Sequence, residues 1–243
     1  MGISEIENRL KTKRAYTLKS IELRLIELVS NPSYKKNPEL ILERLFEEFG
    51  VEIFEDSSLI ENLSAALKNL NIEGERLFKG LIPDISVFDK SFLGKLKVNH
   101  KKLGELLFRR ASLLKRVRGG LFTVGELLDW FNRAAKYKIK VEDILKAVRI
   151  LEKNRIIPGR RIIGGNVLVI QFLPLELSSD HLFILNLASS KGWVTVEEAS
   201  MNLNWPLERV TLVLDKLVDY GVARLDSSYA HGKKYYFPAF LSK

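Results

Sequence analysis

The sequence predicts a mainly α fold with small β wings (α+β). A helical N-terminal region precedes a helix–strand–helix–helix–hairpin unit, which then occurs a second time. Three observations carry this. First, Arg118-Gly119-Gly120-Leu121-Phe122-Thr123-Val124-Gly125-Glu126 aligns with Ser190-Lys191-Gly192-Trp193-Val194-Thr195-Val196-Glu197-Glu198, placing Gly120 on Gly192, Thr123 on Thr195 and Glu126 on Glu198. Second, both copies hold Thr-x-x-Glu, in which the Thr hydroxyl accepts from the third helical amide and the Glu reaches back to the cap amide. Third, each copy ends in β-branched or aromatic runs around a polar turn.

In chain order, Ile3, Ile6, Leu10, Ile21, Leu25 and Leu28 recur at threes and fours, so the first 36 residues read as a helix. Asn31-Pro32 ends it, because proline disfavours the helical region at the residue before it. Asn37-Pro38 opens a second helix with the apolar stripe Leu40, Ile41, Leu45, Phe46 and Phe49, closed by Gly50. Residues 51–90 read as mostly helical. Then come the amphipathic stretches Leu103–Val117 and Leu182–Ser189, one ahead of each Thr-x-x-Glu. A second amphipathic helix follows in each copy, Val141–Leu151 and Leu207–Leu217. The closing hairpins are Arg160–Ile163 with Val167–Gln171, around Gly164-Gly165-Asn166, and Val222–Leu225 with Tyr235–Phe237. This is the winged-helix order. It predicts an N-terminal helical region over 1–90 and two tandem winged-helix domains over 91–176 and 177–243.

Composition narrows the function. The 243 residues are 46% apolar and 28% charged, a globular balance, with no cysteine to form a disulfide, a thiolate metal site or a thiol nucleophile. No apolar run approaches the roughly 20 residues that span a bilayer, so a cytoplasmic chain is expected. The formal net charge of +9 is unevenly spread. Residues 37–86 carry four basic against eleven acidic side chains, whereas 87–118 carry ten against two and 133–161 ten against three. Such fields suit phosphate-bearing partners or acidic protein surfaces.

Chemistry-bearing clusters are sparse. His100, His181 and His231 fall in different elements without metal-ligand spacing. His181 sits in a helix first turn, where Ser178, Ser179 or Asp180 would cap. The glycine pairs lack a phosphate-binding pattern, and no cofactor, metal or catalytic residue is expected. One coherent footprint is basic. Lys146, Arg149 and Lys153 share a face of the helix that would enter a DNA groove, with Arg155, Arg160 and Arg161 on the wing. The equivalent helix of the second copy exposes Glu208, Arg209, Asp215, Lys216 and Asp219, which is neutral to acidic. A tandem winged-helix nucleic-acid-binding protein is therefore the second reading.

Particular runs carry a resemblance: Gly119–Leu127; Ile163–Gln171 followed by Pro174–His181; Gly192–Val196 with Leu203-Asn204-Trp205; and Gly221–Asp226 with Tyr235–Phe240. With Lys36–Leu40 and Phe49-Gly50-Val51 upstream, the chain resembles the ESCRT-II vacuolar-sorting subunit family over about 35–241. The resemblance implies a non-catalytic scaffold acting peripherally at endosomal membranes. It would stand between ubiquitinated-cargo recognition and filament nucleation. Its implied partners are a small winged-helix ESCRT-II subunit and a related larger one, with no small-molecule substrate.

The resemblance also implies that the second winged helix docks the small subunit. Trp193, Tyr229 and Tyr236 are the aromatic candidates, and Asp226 would accept a charged hydrogen bond from the partner. Alternation along 235–237 turns Tyr236 away from Tyr235 and Phe237. At the N-terminus, Lys11, Lys13, Arg14 and Lys19 are candidates for anionic lipid. The apolar stripe beside them needs a cover, either a partner helix or the chain's own second helix.

Overall fold

The computed structural model describes residues 18–36, 39–49, 54, 57–69, 78, 81, 83, 85–90, 96–227 and 233–241. The chain forms two compact units, residues 1–82 and 83–243.

In the first unit, α1 covers residues 18–30 and stops at a bend on Asn31, whose side chain accepts from the Ser33 amide at 3.0 Å. Two helices follow, α2 (Pro32–Lys36) and α3 (Glu39–Phe49). Ile21, Leu25 and Leu28 are buried, as are Ile41, Leu45 and Phe46 of α3. Arg24 of α1 forks onto Glu48 of α3 at 2.6–3.0 Å. The described half of the N-terminal stripe is thus covered within the unit. Ile3, Ile6 and Leu10 lie outside the described residues. Helix α4 (Ser57–Asn69) buries Leu59, Leu63 and Leu67.

The second unit opens with a 3-10 turn over Ile85–Val87 and an antiparallel hairpin, β1 (Phe88–Lys90) with β2 (Leu96–Val98). Strand β1 ends at the residue-90 boundary expected from the sequence, yet belongs to the second unit. Its three-residue strands carry no alternating apolar signal, which is why residues 51–90 read as mostly helical. Next come α5 (His100–Leu113), α6 (Lys115–Arg118), β3 (Leu121–Thr123), α7 (Val124–Ala134), α8 (Val141–Lys153), β4 (Gly159–Ile163) and β5 (Val167–Gln171). The second copy runs α9 (Ser179–Ala188), β6 (Trp193–Thr195), α10 (Val196–Leu203), α11 (Leu207–Asp219), β7 (Arg224–Asp226), β8 (Lys234–Tyr236) and α12 (Pro238–Leu241). Both sheets share one topology, β3-β5-β4 and β6-β8-β7, with antiparallel pairs throughout. Two tandem winged helices are the outcome.

The Thr caps form as expected: Thr123 Oγ1 accepts from the Glu126 amide and Thr195 Oγ1 from the Glu198 amide, each at 3.1 Å. The glutamates turn elsewhere. Glu126 pairs with Arg118 at 3.2 Å and Glu198 with Lys191, in both cases a cation just ahead of the strand. A full charge outcompetes a backbone amide for a carboxylate.

The second wing begins later than the sequence suggests. Val222 and Ala223 are buried, and their amides donate back to the Leu217 carbonyl at 2.9 and 3.1 Å. They finish α11 rather than start a strand. Phe237 is likewise beyond β8, its amide donating to Gly192 at 2.8 Å.

Candidate protein-interaction site

The second wing presents two unlike faces. The inner row pairs Val194 with Tyr235 and Tyr235 with Leu225; the outer rows are Trp193, Tyr236, Arg224 and Thr195, Lys234, Asp226. Directly opposed residues share a face, so the outer rows place an aromatic pair beside charges of both signs. Lys191 and Lys234 hold their ammonium groups 5.2 and 4.6 Å from the Trp193 ring centroid. The attraction is electrostatic and orders the indole without burying it. Asp226 is exposed and stands opposite Lys234. Tyr229 lies outside the described residues.

Tyr235 is 1% exposed and belongs to the core. Its hydroxyl donates to Asp215 Oδ1 at 2.9 Å. Burial first, then that carboxylate, push the phenol up to about 12. The raised value means this contribution is present below about pH 10 and is lost as pH rises towards 12. Tyr235→Phe is expected to cost about 1–2 kcal/mol in denaturant unfolding at neutral pH. Its alkaline spectrophotometric titration should lack the tyrosine whose ionisation burial pushes up to about 12.

The first wing is not available in the same way. Its outer row residues Leu121, Val169 and Ile163 join Ile184, Leu185, Val210 and Leu214 of the second domain in one buried cluster. At about 1.5–3 kcal/mol for each large side chain removed from water, this contact dominates the junction. The wing turn is tied down too, since the Gly164 amide donates to Asn186 Oδ1 on α9 at 2.8 Å. Two close approaches complete the seam. Gly119, at φ 61°, lies against Val222, and Gly221, at φ 71°, lies against the Arg116 carbonyl. Helix α12 packs back on β3.

This geometry separates the six basic residues grouped by sequence. Lys146, Arg149 and Lys153 are exposed on α8. Arg155 is not on the wing: it sits in the turn after α8, at φ 56°. Arg160 pairs with Glu152 at 2.8 Å, and Arg161 donates to the buried Gln171 at 3.0 Å. A wing whose turn and outer row are packed on the neighbouring domain does not lie alongside DNA phosphates. The nucleic-acid reading therefore loses its second element.

His181 is structural. Ser178 caps α9, and His181 Nδ1 accepts from the Ser178 amide at 3.0 Å. Burial lowers its affinity for a proton, against the nearby Asp180 charge. The folded state thus keeps His181 neutral where the unfolded chain takes up a proton, so stability falls as pH drops through the ordinary histidine value. The melting temperature is expected to fall between about pH 7.5 and 5, and to fall less in His181→Gln, measured by circular dichroism. His100 pairs with Asp143 at 2.9 Å, and His231 lies outside the described residues. Among the described residues no cluster of three potential metal ligands occurs, and no helix is long and apolar enough to cross a membrane.

Of the N-terminal cations, Lys19 is exposed on α1, whereas Lys11, Lys13 and Arg14 lie outside the described residues. Sequence reasoning missed Arg224, Lys191 and Lys234, which complete the outer face. Strand register, absent from periodicity, would have found Arg224 and Lys234, and the turn before β6 brings in Lys191. It also missed a second aromatic cluster, where Arg209 stacks on Trp205 at 4.1 Å, forks onto Asp180 at 2.8–2.9 Å, and Phe183 meets Trp205 edge-on at 6.0 Å.

The sequence model of the EAP30/Vps36 family matches residues 1–227. Vacuolar-sorting protein SNF8 of Danio rerio is 36% identical over 148 residues, covering 58% of this chain and 56% of that protein. The Homo sapiens protein of the same name is 33% identical over 144 residues, covering 58% and 55%. Vacuolar protein sorting-associated protein 22 homolog 1 of Arabidopsis thaliana is 30% identical over 144 residues, covering 58% of each chain. The aligned stretch thus spans little more than half the length of these relatives. A chain of the endosomal complex ESCRT-II (VPS22/VPS25/VPS36) crystal structure superposes with a TM-score of 0.54 at 18% identity, over 84% of this chain and 90% of that one. A chain of a second structure of the ESCRT-II endosomal trafficking complex gives 0.53 at 16%, over all of both chains. At these identities the likeness is one of fold.

Proposed function

Because this chain belongs to the EAP30/Vps36 family, we propose that it is a non-catalytic scaffold subunit of an ESCRT-II-like complex. It acts in membrane remodelling and the sorting of ubiquitinated cargo, as a cytoplasmic protein peripheral at endosomal membranes. Its partners are a small winged-helix subunit and a related larger subunit. The small subunit docks on the outer face of the second wing, with Trp193 and Tyr236 as anchors and Asp226 as the charged acceptor. Tyr229, between Asp226 and Lys234 in the sequence, is the third aromatic candidate of this proposal. Lys11, Lys13, Arg14 and Lys19 meet anionic lipid.

One observation supports this best: the two wings differ in use. The first is consumed in locking the domains together, while the second leaves Trp193 half-buried beside exposed charges of both signs. A locked pair of winged helices that presents such a face suits an assembly module, since aromatic anchors ringed by polar groups make interface hot spots. The test is co-expression of the full chain with small and larger winged-helix subunits encoded in the same genome. Co-elution of all three in size-exclusion chromatography is expected. A chain that binds duplex DNA tightly and salt-sensitively, and forms no hetero-complex, overturns the reading.

A further inference from the structure

Helices α8 and α11 are each 13 residues long and hold the same place in the repeated unit. Aligned start to start, Ile144, Val148 and Leu151 match Val210, Leu214 and Leu217, all buried. The two helices therefore turn the same side inward. On the opposite side, Glu142, Lys146, Arg149 and Lys153 match Glu208, Leu212, Asp215 and Asp219, all exposed. Spacings of four, three and four put each set on one stripe. The inward faces agree in chemistry, and the outward faces are opposite in charge. One is dominated by three cations; the other has three anions around Leu212, which is 72% exposed.

We propose that the α8 stripe of one copy of this chain docks on the α11 stripe of a second copy. The two stripes of one molecule remain exposed within a single unit, so they do not satisfy each other. The cations flanking α11 are partly engaged: Arg209 forks onto Asp180, and the Lys216 ammonium stands 5.7 Å from the Tyr220 ring centroid. Asp215 accepts the Tyr235 hydroxyl at 2.9 Å. Leu212 supplies an apolar centre and the charges a rim, the usual anatomy of a small interface. The contact is heterologous. A docked pair still offers one unused stripe of each sign, so association is open-ended unless the rotation closes a ring.

Sedimentation velocity of the purified full chain, with no partner subunit present, tests this. A failure here therefore leaves the scaffold proposal standing. The sedimentation coefficient is expected to rise with protein concentration at about 50 mM salt and to revert to monomer at about 500 mM. Lys146→Glu/Arg149→Glu/Lys153→Glu makes both stripes acidic, and Glu208→Lys/Asp219→Lys makes the α11 stripe basic while sparing Asp215. Each variant alone should associate at least about tenfold more weakly than the wild type, and an equimolar mixture should associate again. Circular dichroism checks folding, with Arg149→Glu alone replacing any variant that fails it. A wild type that is monomeric at low salt overturns the proposal. So does a variant that associates like the wild type, or a mixture no tighter than its components.

Discussion

Gly221→Ala is expected to destabilise the protein by about 2–4 kcal/mol and to split its unfolding transition in denaturant. A left-handed conformation costs an L-residue roughly 1–2 kcal/mol, and Gly221 has φ 71°. The rest comes from position. An added Cβ would stand 2.3 Å from the Arg116 carbonyl oxygen, which belongs to the backbone of α6 and cannot rotate away. Relief requires prising the first winged helix from the second, across the shared cluster that holds Leu121 and Val169. Gly165→Ala is the control, because Gly165 has φ 80° and nothing within 4 Å of the added atom. It should lose only the conformational cost and unfold in one transition. Equal effects from the two substitutions would mean that the domains are not locked at this seam.

Asp226→Lys is expected to weaken association with the small winged-helix subunit by about 2 kcal/mol or more, roughly thirtyfold in Kd. Trp193→Ala should do the same through loss of a buried anchor. Neither residue is part of the core, so the melting temperature of the isolated chain should hardly change. Isothermal titration of the purified subunits measures the weakened binding. Unaltered binding in Asp226→Lys removes this carboxylate from the docking site and leaves the family assignment intact.

The division between what periodicity reveals and what it misses runs through particular residues. The apolar stripe of α3 and the buried positions of α8 and α11 follow from spacings of three and four. Alternation along 235–237 separates outward Tyr236 from buried Tyr235 and Phe237. Those signals are local. Arg224 joins Tyr236 on the outer face through cross-strand register, and Lys191 reaches Trp193 through the turn before β6. Neither juxtaposition is encoded in a spacing.

The sequence by itself determined the repeated unit, its order of elements, its Thr caps and the charge on each helix face. Each of these depends on residues a few positions apart, where backbone geometry alone decides what meets. Tertiary structure decided what became of the equivalent parts. The two Thr-x-x-Glu boxes lost their glutamates to Arg118 and Lys191, cations that the fold holds just ahead of each strand. The two wings, alike in sequence pattern, diverged because β3–β5 lies against the second winged helix and buries Leu121, Ile163 and Val169, whereas the outer rows of β6–β8–β7 keep Trp193 and Tyr236 half-buried and Arg224 and Asp226 exposed. Burial by a neighbour far along the chain is a property of packing, and no local pattern carries it.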